Sequence, residues 1–345
     1  CESALGMIDD SNGEMTGILE RIQDIHHAAC LAARPDPEAL ARRLFEWEMT
    51  TDWDTFYGAA QTYADVLGEN GLAVYRHLAE TAWKGVPSLG PGHDRQSFEG
   101  SRFRLTSIME SLARVDGDVE GMVAVKRRDL SLPYCYLQIA EIYKKAGEAD
   151  KALRWAEDGI RAFPNRPDER LREFLADEYH RLKRHAEAIQ LIWTSFVEKP
   201  DLYHYQALKR HATRASAWST WRDKALEHIR ATSRKRRRES SKHSAFGMGH
   251  GDHSTLVEIL LWEKKPEAAW EEAQAGGCSN RLWMNLARLR EKQHPADAIE
   301  IYQRQVEPTI AGMSNEGYRE AVTLIDQIGK LMRHVGRGKD FPAYV

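Results

Sequence analysis

The chain has 345 residues, 42% hydrophobic and 29% charged, with a formal net charge of −3, a balance that excludes a disordered polypeptide. Near-neutral charge excludes a general affinity for nucleic acid or anionic membrane, and no apolar run approaches the roughly 18 residues of a membrane-spanning helix. Cys1, Cys30, Cys135 and Cys278 are far apart and form no C-x-x-C pair, which argues against a disulfide framework and a structural zinc site and for a cytoplasmic setting.

Helical periodicity runs through the chain, and no alternating stretch reads as a strand. Residues 15–33, 37–49, 55–67 and 72–83 read as four helices, and two more lie within 98–125. Asn70–Gly71 and Asp116–Gly117 have no strands beside them and read as helix breaks. Residues 84–96, rich in Gly and Pro, read as the end of this first layer.

From Pro133 to Pro200 the pattern sharpens. Tyr136, Ile139, Ala140 and Tyr143 share one helical face, and a break follows at Ala146–Gly147. Ala152, Trp155, Ala156 and Gly159 mark a second face that Phe163–Pro164 closes. About 36 residues later Leu175, Ala176 and Tyr179 recur, then a break near Lys183, then Ala188, Ile192, Ser195 and Pro200. Two antiparallel helices pack closely only where small residues let the backbones approach; Ala140 and Ala152, then Ala176 and Ala188, fill that role. This is the tetratricopeptide pattern of small and large positions at a period of about 34.

Weaker pairs follow at 202–213 with 215–229, 255–264 with 266–275, and 282–293 with 296–310. Residues 317–335 open a sixth pair. The fold class expected is all-α, an α-solenoid of antiparallel tetratricopeptide-like helix pairs with a HEAT-like or capping N-terminal layer, elongated and curved. The divisions expected are residues 1–128 for that layer, 129–232 for helix pairs, 233–254 for a basic, His- and Gly-rich loop, and 255–345 for C-terminal pairs. The chain opens without Met and closes at Tyr344–Val345 in an opening helix, so a fragment of a longer protein is expected.

Four constellations invite chemistry. His243, His250, Asp252 and His253 are zinc-type ligands, but Gly247, Gly249 and Gly251 deny them a rigid frame, so no metal or other cofactor is assigned. Arg234, Lys235, Arg236, Arg237 and Arg238 could clamp phosphates, or cap a helix end where cations favour the dipole; five in a row cannot share one face. Trp155, Trp193, Trp218, Trp221, Trp262, Trp270 and Trp283 suit packing between helices. No P-loop, G-x-S-x-G, H-E-x-x-H or dinucleotide turn occurs, so no enzyme is expected. The surface that remains is the groove lined by the first helices of the pairs. Glu141, Lys144 and Lys145 on one helix, and Glu173, Asp177, His180 and Arg181 on the next, would face it, and their cations suit an acidic protein or peptide segment.

The stretches LVEILLWEKKPEAAWEEAQAGGCS, LWMNLARLREKQHPADAIEIYQRQVEPTI and YREAVTLIDQIGKLM, with YLQIAEIYKKAGEADKALRWAEDGIRAFP upstream, resemble the C-terminal region of bacterial SWIM zinc-finger family proteins. The resemblance is strongest after Asp129 and implies helical repeats without a catalytic signature. In that family a C-x-C…C-x-H finger, associated with binding nucleic acid or protein, lies upstream. This chain has neither half of that motif, so no zinc and no functional residue carry over. The function expected is a non-catalytic protein–protein interaction scaffold. The alternatives are a nucleic-acid-associated protein acting with a zinc finger outside this chain, and a metal-dependent enzyme on a helical frame.

Overall fold

A computed structural model describes residues 14–50, 56–93, 99–165, 168–240 and 253–344. Among them every regular element is helical, apart from one isolated parallel bridge between Leu89 and Asp129. The fold is an all-α solenoid of helix pairs, as the periodicity requires. The chain divides into two compact units, Cys1–Glu178 and Tyr179–Val345.

The first unit holds α1 (Glu14–Ala33), α2 (Pro37–Thr50), α3 (Ala59–Thr62), α4 (Ala64–Trp83), α5 (Glu99–Asp116), α6 (Val119–Lys126), α7 (Pro133–Lys145) and α8 (Ala149–Ala162), and the start of α9 (Glu169–Arg181). Leu44, Tyr63, Leu67, Tyr75 and Ile108 centre its core with no exposed surface. Glu48 lies among them, 1% exposed. Its carboxyl accepts from the Gly58 amide at 2.8 Å and from the Tyr75 hydroxyl. It anchors the left-handed turn at Gly58 that opens α3.

Two sequence expectations change here. Asn70–Gly71 lies inside α4, and the chain departs from helical geometry at Gly68 instead (φ 52°, ψ −166°). Gly71 serves close packing: a Cβ there would stand 2.8 Å from the Pro37 carbonyl oxygen. Nor do residues 84–93 separate one layer from the next. Val86 and Leu89 are buried, the Leu89 amide donates to Arg128 O at 2.8 Å, and the Leu130 amide donates to Leu89 O at 2.7 Å. Arg102 and Arg128 donate to the Pro87 and Val86 carbonyls. The Gly/Pro composition reported a chain that cannot be helical, while its apolar residues strap it to the following segment.

The pair α7–α8 closes as its small residues require. Ala140, Ala152 and Ala156 have no exposed surface. A Cβ at Gly159 would stand 2.7 Å from Tyr136 Cβ and 2.8 Å from Leu171 Cδ2, so only glycine admits this approach. The turn after α7 is a left-handed residue, Gly147 (φ 82°), followed by a 2.9 Å bond from the Glu148 amide to Tyr143 O. This is the six-to-one Schellman bond that satisfies an orphan carbonyl at a helix end. The same device follows α5, with Gly117 (φ 63°) and the Asp118 amide on Ala113 O at 2.9 Å.

The second unit holds the end of α9, then α10 (His185–Glu198), α11 (Leu202–Arg214), α12 (Trp218–Ser240), α13 (Ser254–Trp262), α14 (Pro266–Gly276), α15 (Asn280–Arg290), α16 (Pro295–Ala311), α17 (Asn315–His334) and α18 (Phe341–Tyr344). Four of its helices end on the same turn: Lys183 (φ 64°), Ser216 (φ 53°), Lys264 (φ 60°) and Gly336 (φ 75°) are left-handed. Each is followed by an amide reaching back five residues, from Arg184 to Tyr179, Ala217 to Ala212, Lys265 to Leu260 and Arg337 to Met332. A correction concerns residues 233–254, expected as loop. Helix α12 runs to Ser240, because Arg and Lys are good helix formers and no Gly or Pro interrupts them before that point. No helix of the described residues is long and apolar enough to cross a membrane.

Candidate functional site

In the first unit, α5 and α6 form one wall and α7 the other wall of an open cleft. It consists of two adjoining hollows of about 610 and 630 Å³ that share Glu110, Lys126, Tyr134 and Gln138. The α7 wall is a stripe at helical spacing, Tyr134, Gln138, Glu141 and Lys145, and the α5 wall is a second one, Phe103, Ser107, Glu110 and Arg114. Residues three and four apart stand side by side on a helix, so each stripe presents one continuous surface. Phe103 is 61% exposed and Tyr134 38%; large apolar surfaces left open inside a concavity are what a binding face requires.

Most charges in the cleft already have structural work. Glu110, largely buried, takes Lys126 at 2.6 Å and Arg114 at 2.9 Å and so ties α6 to α5. Asp118 caps α6 by accepting from the Gly121 amide at 2.9 Å, and Asp129 accepts from the Ser131 hydroxyl at 2.6 Å. Arg170 lies 4.4 Å over the Tyr134 ring. Glu141 and Lys145 are exposed, and among the described residues neither joins an ion pair. Cys135 lies buried under the floor.

The seven groove residues expected from sequence stand in different local surroundings. Glu141 and Lys145 line the cleft. Lys144 turns away to α9, with its ammonium 2.8 Å from buried Glu178 and 4.9 Å over Phe174. Glu173 is half-buried and Asp177 exposed on α9 in the first unit, while Arg181 is exposed in the second. His180 is a correction: it is 3% exposed. It follows Ala176 by one helical turn, on the packed face. In the second unit its Nδ1 stands 2.7 Å from His185 Nδ1 and its Nε2 3.1 Å from His211 Nδ1, with the His211 ring stacked at 5.1 Å. The positive end expected of the groove therefore loses Lys144 to an ion pair and His180 to the interior. Reading the first helices alone also missed the opposite wall, although the Phe103-to-Arg114 stripe is visible at the same spacing.

Among the other constellations, His243, His250 and Asp252 lie outside the described residues. His253 Nδ1 stands 3.1 Å from Glu272, which also takes Arg230 at 2.7 Å. Among the described residues no group of His, Cys, Asp and Glu could hold a metal ion. Arg234 and Lys235 are exposed on α12, and Arg236, Arg237 and Arg238 continue that helix. Burial raises the Cys30 thiol above its ordinary range and pushes Cys278 up to about 12, so neither is an activated nucleophile. Trp270 packs edge-on to Trp283 with centroids 5.6 Å apart, and Trp193 meets Trp221 at 5.5 Å.

The chain belongs to a family of unknown function, DUF6880, whose model matches residues 1–238. The expected kinship with SWIM zinc-finger proteins is not what the comparisons find; that resemblance rested on Ala-, Leu- and Glu-rich helix wording, which packing imposes on many unrelated repeats. No curated protein matches the chain. Among solved structures it is similar to the human IFIT1 dimer with PPP-AAAA, at 11% identity over 92% of this chain and 77% of that one, with a TM-score of 0.26. The human IFIT1 dimer with m7Gppp-AAAA matches at 12% identity over 92% and 76%, also with a TM-score of 0.26. At these scores the likeness carries no argument about this chain.

Proposed function

We propose that this member of the family is a non-catalytic scaffold that holds a protein or peptide segment in the cleft between α5, α6 and α7. The observation that carries the reading is the pair of exposed rings, Phe103 and Tyr134, inside an open hollow whose other charges are spent on structure. Exposed aromatics supply contact area at low entropic cost, and such anchors dominate binding energy at interfaces. Lys145 and Glu141 add one charge of each sign at one end. The partner segment is therefore one with an apolar side chain for the aromatic end and a single acidic group for Lys145, not a polyacidic run. A cytoplasmic setting belongs to this proposal, because Cys30 and Cys278 are free thiols that a reducing compartment preserves.

The test is affinity capture from the host with the full chain and with the double variant Phe103→Ser, Lys145→Glu. Both side chains stand exposed on the surface, so folding is expected to survive. Loss of specific partners from the variant supports the reading; identical partners at identical yield overturn it. A second reading draws on α12, where Arg234 and Lys235 stand exposed on a helix that continues through Arg238. Binding to RNA or DNA that weakens steeply with salt, and that Arg234→Glu with Lys235→Glu removes, would favour it.

A further inference from the structure

Helix α12 carries Trp221, Lys224 and His228 at spacings of three and four residues, hence on one face. Trp193 and Phe196 on α10 meet that face. The Trp193 and Trp221 indoles stand 5.5 Å apart at 54° to each other. His228 closes against Trp193 edge-on at 5.6 Å and lies 6.0 Å from Phe196. In the wedge between the two indoles sits the Lys224 ammonium, 4.4 Å from one ring centroid and 4.3 Å from the other.

The cations beside it are held differently. On the same helix Arg222 is paired with Glu263 at 2.6 Å and Arg230 with Glu272 at 2.7 Å. Lys224 is exposed, and among the described residues no carboxylate pairs with it; its partners are two aromatic faces. A lysine ammonium is a compact, strongly hydrated donor, and indole faces return none of the hydrogen bonds it gives up. A quaternary ammonium has no N–H to satisfy, spreads its charge over methyl groups, is cheaply desolvated, and is a cation that aromatic cages recognise. The third wall does not oppose a cation, because burial holds the His228 imidazole below its ordinary range and so neutral near pH 7. We propose that Trp193 and Trp221, closed on one side by His228, form an aromatic cage for a quaternary ammonium group, which Lys224 fills as a built-in competitor in the free chain.

A second lysine gives an internal control. Lys209 lies 4.7 Å over Trp262 but 5.8 Å from Trp218, so a single indole holds it closely and no wedge forms. The experiment titrates the full chain with tetramethylammonium, choline and free trimethyl-lysine, against unmodified lysine at matched ionic strength, read by ligand-observed NMR. Removing the competitor in Lys224→Ala should tighten tetramethylammonium binding about tenfold, the worth of a cation–π pair on each of two rings. Adding Trp221→Ala should abolish binding, and Trp262→Ala should leave it unchanged. Preference for trimethyl-lysine over choline would identify a methylated side chain as the source of the group, and the reverse a free small molecule. Lys224→Ser replaces Lys224→Ala if circular dichroism shows the latter altered. No binding by a folded Lys224 variant, or equal binding of lysine and trimethyl-lysine, overturns the proposal.

Discussion

Replacing Glu48 by Gln should remove a loss of stability that the first unit otherwise suffers as pH rises. Glu48 is 1% exposed, and burial raises its carboxyl from an ordinary value of 4.5 to about 8, against the Ala59 and Gly58 amides that favour the ionised form. A group whose folded pKa lies above its unfolded one binds more protons when folded. Its contribution is therefore whole below pH 4.5 and is lost as pH rises through about 8. Each unit of separation is worth about 1.4 kcal/mol, so the loss reaches roughly 3 kcal/mol at pH 7 and levels off at about 5 kcal/mol above pH 8. Gln keeps an oxygen for the Gly58 amide but cannot ionise. Near pH 5 the two chains should be close in stability, and at pH 8 the variant should be the more stable. Because two units need not unfold together, the assay is hydrogen exchange of peptides spanning 56–67 and 70–83 at pH 5 to 8, with rates corrected for intrinsic pH dependence. An equal loss of protection with pH in Glu48→Gln would refute the reasoning.

The helix-end turns offer a smaller and opposite test. Lys183 and Lys264 are left-handed without being glycine, so Lys183→Gly and Lys264→Gly should each gain roughly 0.5–1 kcal/mol, seen as a higher melting temperature. Gly147→Ala in the equivalent turn after α7 should lose a similar amount. Gly159→Ala would force a Cβ to 2.7 Å from Tyr136 Cβ and should cost roughly 1–3 kcal/mol in urea unfolding, as should Ala140→Leu in the same helix pair. Unchanged midpoints in both would mean that α7 and α8 do not approach as described.

Much of the fold was legible because repeat packing writes itself into residue size. Ala140, Ala152, Ala176 and Ala188, picked out by spacing alone, are all fully buried. Breaks near Gly147 and Lys183 stood where the left-handed turns are. Helix limits were less legible where a glycine acts through packing, as Gly71 does, or where a polar run is also a good helix former, as at 233–240. The candidate site was half legible. Glu141 and Lys145 follow from periodicity, but the partner that Lys144 selects depends on Glu178, and the fate of His180 depends on His211. Those are tertiary facts that no single helix carries. The wall from Phe103 to Arg114 had the right spacing but no repeat to draw attention to it. Sequence had likewise assigned the tryptophans to packing, and Trp193 with Trp221 does pack, yet the ammonium between them is visible only in three dimensions.

Hydrogen exchange on the full chain, with and without a captured partner peptide, asks most directly whether the α5–α6–α7 cleft is where this protein holds its partner. Protection should rise in peptides covering residues 102–114 and 134–145 and stay unchanged in α13 to α17. Protection confined to the second unit, with those two segments unaffected, would contradict the assignment of the cleft.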